Sequence, residues 1–147
     1  MTNSVAEIAE NEALLVIGSN TTENHPIIAL RMKEAVAKGA KLIVADPRKI
    51  PLVKFATLWL RHRPGTDSVL LNAIMNAILA EGLEDKEFIN AKTEGYADFV
   101  KSLASFTPEF GEEVTGVPAE DIRKAARIYG SAKNAGIYYA MGITQHV

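Results

Sequence analysis

The 147-residue sequence predicts an α/β fold in which a mostly parallel sheet is flanked by helices. Three observations predict it. Short apolar runs alternate with longer stretches of helical character. The runs are continuous rather than alternating apolar and polar, as in strands buried on both faces. The loops that follow them carry glycines and carboxylates, at the sheet edge where open α/β folds gather ligands.

Taken in order, residues 13–18 (ALLVIG) read as the first strand, an apolar run closed by glycine. The loop SNTTENH follows. Pro26 suits the first position of a helix, where a missing N–H costs nothing. Ile27, Ile28, Leu30, Met32, Ala35 and Val36 give that helix an apolar face through Lys38, and Gly39 is its C′ stop. Residues 41–45 (KLIVA) make the second strand, which ends at Asp46-Pro47-Arg48. Strand, helix and strand form a βαβ unit with a right-handed crossover. Residues 49–55 read as a short helix, and 57–61 (TLWLR) as a third strand. The loop HRPGTD leads into a helix from Ser68 to Glu81 that is apolar nearly all round, so deep burial is expected.

From Asp85 to Glu113 the sequence breaks into short helices: DKEFINAKT, YADFVKSLASF and TPEFGEEV. Thr107-Pro108-Glu109 pairs an N-cap with a proline at the first helical position. Pro118 starts another helix that runs through Lys133, with Ile122, Ala125, Ala126 and Tyr129 on one face. Residues 136–140 (GIYYA) are a final strand, followed by MGITQHV. The order of elements is that of a Rossmann-like three-layer sandwich, one domain over 1–147. A strand and loop at the very end of the chain suggest a piece of something larger.

Composition narrows the chemistry. At 48% apolar and 23% charged residues the chain can build a core. A formal charge of −2 gives no basic field, which argues against nucleic acid as a partner. No run of about 18 apolar residues offers a membrane segment, and MTNSVAEIAENEALLV has no basic n-region of a signal peptide. There is no cysteine, which excludes disulfides, thiol nucleophiles and Cys-held zinc or iron–sulfur clusters within this chain. His25, His62 and His146 show no HxxxH or HExxH spacing, so no metal held by side chains is expected.

Four polar segments can carry binding. Gly18-Ser19-Asn20 lacks GxGxxG, yet it places small residues at the carboxyl edge of the sheet; the alternative is an ordinary strand-to-helix turn. Asp46, at the end of the second strand, can accept from ribose hydroxyls, or it simply opens the Asp-Pro turn. Arg48 can reach a phosphate. In Arg61-His62-Arg63-Pro64-Gly65-Thr66-Asp67, Asp67 can accept from a guanine edge or cap the helix that follows. Gly65 permits close backbone approach to a ring, and Arg63 is a phosphate ligand or a solvated strand end. After the last strand, Gly142 allows close approach and Gln145 offers donors and acceptors, although a plain loop explains both. Trp59 and Tyr138-Tyr139 read as core.

GSNTTENHP, ADPRK, RHRPGTD, TGVPAEDIRKAARIYG and AMGITQH, in this order, resemble the molybdopterin oxidoreductases, with the closest look to formate dehydrogenase alpha subunits. The resemblance covers nearly the whole chain. It implies a cofactor of two molybdopterin guanine dinucleotides with molybdenum or tungsten. Gly18, Ser19 and Asn20 would lie beside the dinucleotide, with Asp46, Pro47 and Arg48 at its nucleotide half. Gly65 and Asp67 would read guanine, and Met141, Gly142 and Gln145 would lie near a pterin. The family's metal-ligating Cys or selenocysteine and its iron–sulfur cysteines precede this region, so the chain holds no catalytic or metal-binding residue and is expected to be inactive alone. The remaining domains of the parent subunit and an electron-transfer subunit are the implied partners. Exposed apolar surface makes self-association an expectation as well. A nitrate reductase-like relative and a non-catalytic nucleotide-binding module are the alternatives.

Overall fold

The computed structural model describes residues 4–145; Met1–Asn3, at the start of the segment read for a signal peptide, and His146 lie outside the described residues, as does Val147. The chain divides into two compact units, His62–Ser131 and the remainder on either side of it.

The first unit is built on a four-stranded sheet in the order β3-β2-β1-β4. Its strands are β1 (Ala13–Ile17), β2 (Lys41–Ala45), β3 (Leu58–Leu60) and β4 (Ala135–Tyr139), and every pairing is parallel. The chain is thus α/β, with a parallel sheet flanked by helices, as the apolar runs predict. Helix α1 (Thr21–Asn24) and helix α2 (Pro26–Ala37) connect β1 to β2. Leu14, Val16, Leu42 and Val44 form the centre of a cluster with Met32 and Ala35 of α2 and with Ile8, Ile50 and Leu52. Each such aliphatic side chain contributes about 1.5–3 kcal/mol on full burial. Helix α2 closes with the N–H of Gly39 on Val36 C=O and that of Ala40 on Ala35 C=O, both 3.0 Å. This pair of hydrogen bonds is made with Gly39 at a positive φ of +108°.

In the sheet unit, details differ from expectation. Ala6–Glu10 and Pro51–Phe55 are 3₁₀ turns, the first of them unforeseen. The SNTTENH loop winds into α1, and MGIT into α8 (Met141–Thr144). Strand β3 is shorter than TLWLR. Thr57 still pairs with β2, through its N–H on Leu42 C=O at 2.8 Å, but Arg61 has already turned toward solvent.

The second unit is helical: α3 (Asp67–Ala80), α4 (Lys86–Lys92), α5 (Tyr96–Leu103), α6 (Pro108–Thr115) and α7 (Ala119–Gly130). Helix α3 begins one residue before Ser68 and buries Asp67, Leu70, Ala73, Ile74 and Ala77. The Thr107 hydroxyl accepts from Phe110 N–H at 3.2 Å, so the N-cap and the proline after it stand where the sequence puts them. Pro118 is the cap of α7 rather than its first residue, and α7 stops at Gly130, before Lys133.

Candidate functional site

In the sheet unit, parallel register makes the site's frame. Ile17 pairs with Ala45 on one side and with Tyr139 on the other. The chain therefore leaves β1, β2 and β4 at the same edge, on three adjacent strands. Gly18-Ser19-Asn20, Asp46-Pro47-Arg48 and Met141-Gly142 emerge there side by side.

The turns after β1 and β4 close on each other. Gly142 N–H donates to Gly18 C=O at 3.0 Å, and Gly18 N–H to Ala45 C=O at 3.2 Å. Gly18 has φ +58°, and a Cβ built on it would lie 2.7 Å from the Gly142 carbonyl carbon and from Ile143 N. The close backbone approach expected of Gly142 is made to Gly18. Ser19 and Thr21 share a buried hydroxyl contact of 3.0 Å. Asn20 stands at the N-cap position of α1 without using its side chain as a cap, and its Oδ1 is buried with no hydrogen-bond partner. Thr22 Oγ1 is in the same condition. Met141 is 66% exposed, and Gln145 ends α8 in an exposed position.

The β2 exit is held from two sides. Asp46 is 2% exposed. Its Oδ1 accepts the Arg48 N–H at 2.8 Å and, more weakly, Arg48 Nε–H at 3.4 Å. The Asp-Pro turn predicted from sequence is therefore real, and it orients the carboxylate. Trp59 donates its indole N–H to Asp46 C=O at 2.9 Å, and Arg61 donates Nε–H to Pro47 C=O at 3.3 Å. The Arg61 guanidinium lies 5.8 Å from the Trp59 ring centroid. Sequence reading took Trp59 for core only. The available signal was its pairing with Arg61, two residues apart and so on one strand face.

In the helical unit, the loop before α3 gathers the other candidates. Thr66 donates its N–H and hydroxyl to Arg63 C=O, at 3.2 and 2.7 Å. Gly65, at φ +79°, turns in this loop with open space where a Cβ would be. Asp67 is 6% exposed, and its Oδ1 lies 2.9 Å from Nε2 of the buried His62. That pairing was not foreseen. Arg63 donates Nη1–H to the carbonyls of Glu113 and Val114 at 2.8 and 2.9 Å, which caps the end of α6.

Among the described residues no group of three or more His, Asp or Glu could hold a metal ion, and no helix is long and apolar enough to cross a membrane. The site is a set of hydrogen-bonding groups at a sheet edge, suited to gripping a polar ligand.

A family model described as molybdopterin oxidoreductase matches residues 1–147. The chain belongs to this family. It is similar to the F420-dependent formate dehydrogenase 1 subunit alpha of Methanococcus maripaludis, 48% identical over 145 residues, covering 99% of this chain and 22% of that protein. Formate dehydrogenase H of Escherichia coli is 41% identical over 145 residues, 99% of this chain and 20% of that protein. Among solved structures it is similar to the acetylene hydratase from Pelobacter acetylenicus, with a TM-score of 0.85 and 30% identity over 94% of this chain and 21% of that one. The chain thus spans about a fifth of the length of the relatives it matches, and corresponds to a segment of formate dehydrogenase alpha subunits.

Membership in the molybdopterin oxidoreductases implies a molybdopterin cofactor, and the residues present fit one. Asn20 Oδ1 is a buried acceptor that lacks a donor, and buried acceptors are nearly always satisfied. Ring N–H and amino groups of a pterin are such donors.

Proposed function

We propose that the chain is the segment of a formate dehydrogenase catalytic subunit that holds molybdopterin guanine dinucleotide, acting as one cofactor-binding domain over 1–147. The observation that carries this reading is the meeting of three adjacent strand exits at one sheet edge, with an orphaned acceptor on Asn20. Formate is favoured over other substrates by the 48% identity to a formate dehydrogenase alpha subunit, against 30% to an acetylene hydratase.

In this reading Asn20 takes a donor of the cofactor. Asp46, fixed by the Arg48 N–H, accepts from the ribose hydroxyls, and the exposed Arg48 side chain meets a phosphate. Ser19 and Met141 line the same edge. Asp67 reads the guanine N–H edge beside Gly65, oriented by His62. The molybdenum or tungsten centre, when bound, would supply the redox chemistry for the two electrons of formate oxidation. This chain's residues bind and orient, while the metal ligand, the iron–sulfur cluster and the electron-transfer partner belong to the rest of the enzyme.

Asp67→Asn in the full-length subunit tests the guanine reading. It places an amide donor where a carboxylate acceptor faces ring donors, so nucleotide binding weakens by about 1–3 kcal/mol. Guanine nucleotide and metal are quantified in the purified holoenzyme. Unchanged content would reduce Asp67 to a structural partner of His62.

A further inference from the structure

We infer that Trp59 and Arg61 are positioning residues for the cofactor, holding the turn at Asp46–Arg48 in the shape that presents the Asp46 carboxylate. The inference rests on the proposed function and adds a pair of residues to it.

The turn has little with which to hold itself. Pro47 has no N–H, and the Arg48 N–H is already taken by Asp46 Oδ1. Its two successive carbonyls, of Asp46 and Pro47, receive donors from Trp59 of β3 and from Arg61 just after it instead. Register explains why these two side chains reach. Ala45 pairs with Leu60, so positions 59 and 61 straddle the last residue of β2 and share a face. The Trp59 ring packs against the apolar cluster of Leu14, Val16, Leu42 and Val44 and acts as a fixed post. Arg61 lies over that ring, an arrangement that limits the wandering of an exposed guanidinium. Substrate-side groups are held in place by neighbours whose own rotamers are locked, and this pair has that character.

Trp59→Phe keeps the ring and deletes one donor. Arg61→Gln removes the cation and shortens the donor arm at an exposed position, and Arg61→Lys restores a charged donor of longer reach. Each is made in the full-length subunit beside Asp46→Asn. Three quantities are read: the rate at which guanine nucleotide leaves the diluted holoenzyme, amide hydrogen exchange over residues 46–50, and the melting temperature of the cofactor-free protein. Trp59→Phe is expected to speed cofactor loss about fivefold and to raise exchange over 46–50, with melting near that of the parent protein. Arg61→Gln acts in the same direction, and Arg61→Lys recovers most of the loss. If Asp46→Asn speeds cofactor loss while Trp59→Phe and Arg61→Gln do not, the inference is overturned and the cofactor reading stands. If Asp46→Asn has no effect, the cofactor reading fails and takes the inference with it. Should Trp59→Phe lower the melting temperature, Arg61→Gln decides alone, and normal cofactor retention there overturns the inference.

Discussion

The sheet unit is filled by branched aliphatic side chains, Leu14, Ile17, Leu42, Ile43 and Val44 among them. The helical unit leans on small residues: Ala73, Ala77, Ala119, Ala125 and Ala126 are all buried, and Gly111 sits against Ala73 and Ile122. The tightest points differ accordingly. In the sheet unit, backbone meets backbone at Gly18 and Gly142, where nothing can yield. In the helical unit, a helix backbone meets side chains, and one of those is the flexible tip of Ile122. The first kind of contact shapes a ligand edge; the second lets helices approach closely.

Alanine at Gly18 gives the largest effect, and alanine at Gly111 is its contrast. Gly18→Ala faces both a left-handed φ of +58° and a 2.7 Å approach to backbone, so the expected loss is about 3 kcal/mol or more. Gly111→Ala meets the Ala73 Cβ and the Ile122 Cδ1 at 2.8 Å. There the Ile122 tip can move, and alanine's better helix propensity offsets about 1 kcal/mol, which leaves a net cost of about 1–2 kcal/mol. Denaturant titration of both variants measures the difference. Equal losses would mean that the two kinds of contact are not distinct.

How much of this was legible follows the same division. The strand KLIVA was readable to the residue because burial on both faces leaves a continuous apolar run. Thr107-Pro108 was readable because capping chemistry is local. Thr21–Asn24 and Met141–Thr144 were not, since four residues show no period. At the site, the candidates at the strand ends were visible as carboxylates and glycines, but their partners were not. Gly142 approaches Gly18 across two strands far apart in sequence, and Arg63 reaches the carbonyls of a helix some fifty residues on. Neither distance leaves a trace in local pattern. Asn20 looks like any polar turn residue until burial shows that its oxygen has no donor.

The two buried carboxylates sharpen the comparison at smaller magnitude. Asp46 takes its best hydrogen bond from a backbone N–H, and the Arg48 side chain beside it is 71% exposed. Arg48→Ala is therefore expected to change stability by no more than about 0.5 kcal/mol. Asp67 is held by the side chain of His62, which is buried. His62→Ala removes that partner and leaves a hole, at a cost of about 2–3 kcal/mol. Thermal melts of the two variants check this, and a His62→Ala protein as stable as Arg48→Ala would show that Asp67 is held mainly by something else.

The smallest effect concerns surface charge. Glu34 on α2 is held below its ordinary value of 4.5, first by its hydrogen bond to Arg31 and then by that to Lys38. Glu109 on α6 is lowered too, first by Arg123 on α7 and then by a backbone hydrogen bond. A carboxylate with a lowered folded pKa stabilises the fold above the unfolded value, and that contribution is lost as pH falls through the folded pKa. Both pairs thus act above about pH 4.5 and fade in acid, and both are weakened by salt because they are exposed. Their dependence on a single cation differs. Arg31→Ala leaves Glu34 its Lys38 partner, so its titration moves only part of the way back toward 4.5. Arg123→Ala strips Glu109 of the cationic hydrogen-bond partner it has among the described residues, and its titration moves further. Carboxyl resonances followed by NMR through the acid range read both shifts, and a larger return at Glu34 would mean that Lys38 does not substitute for Arg31.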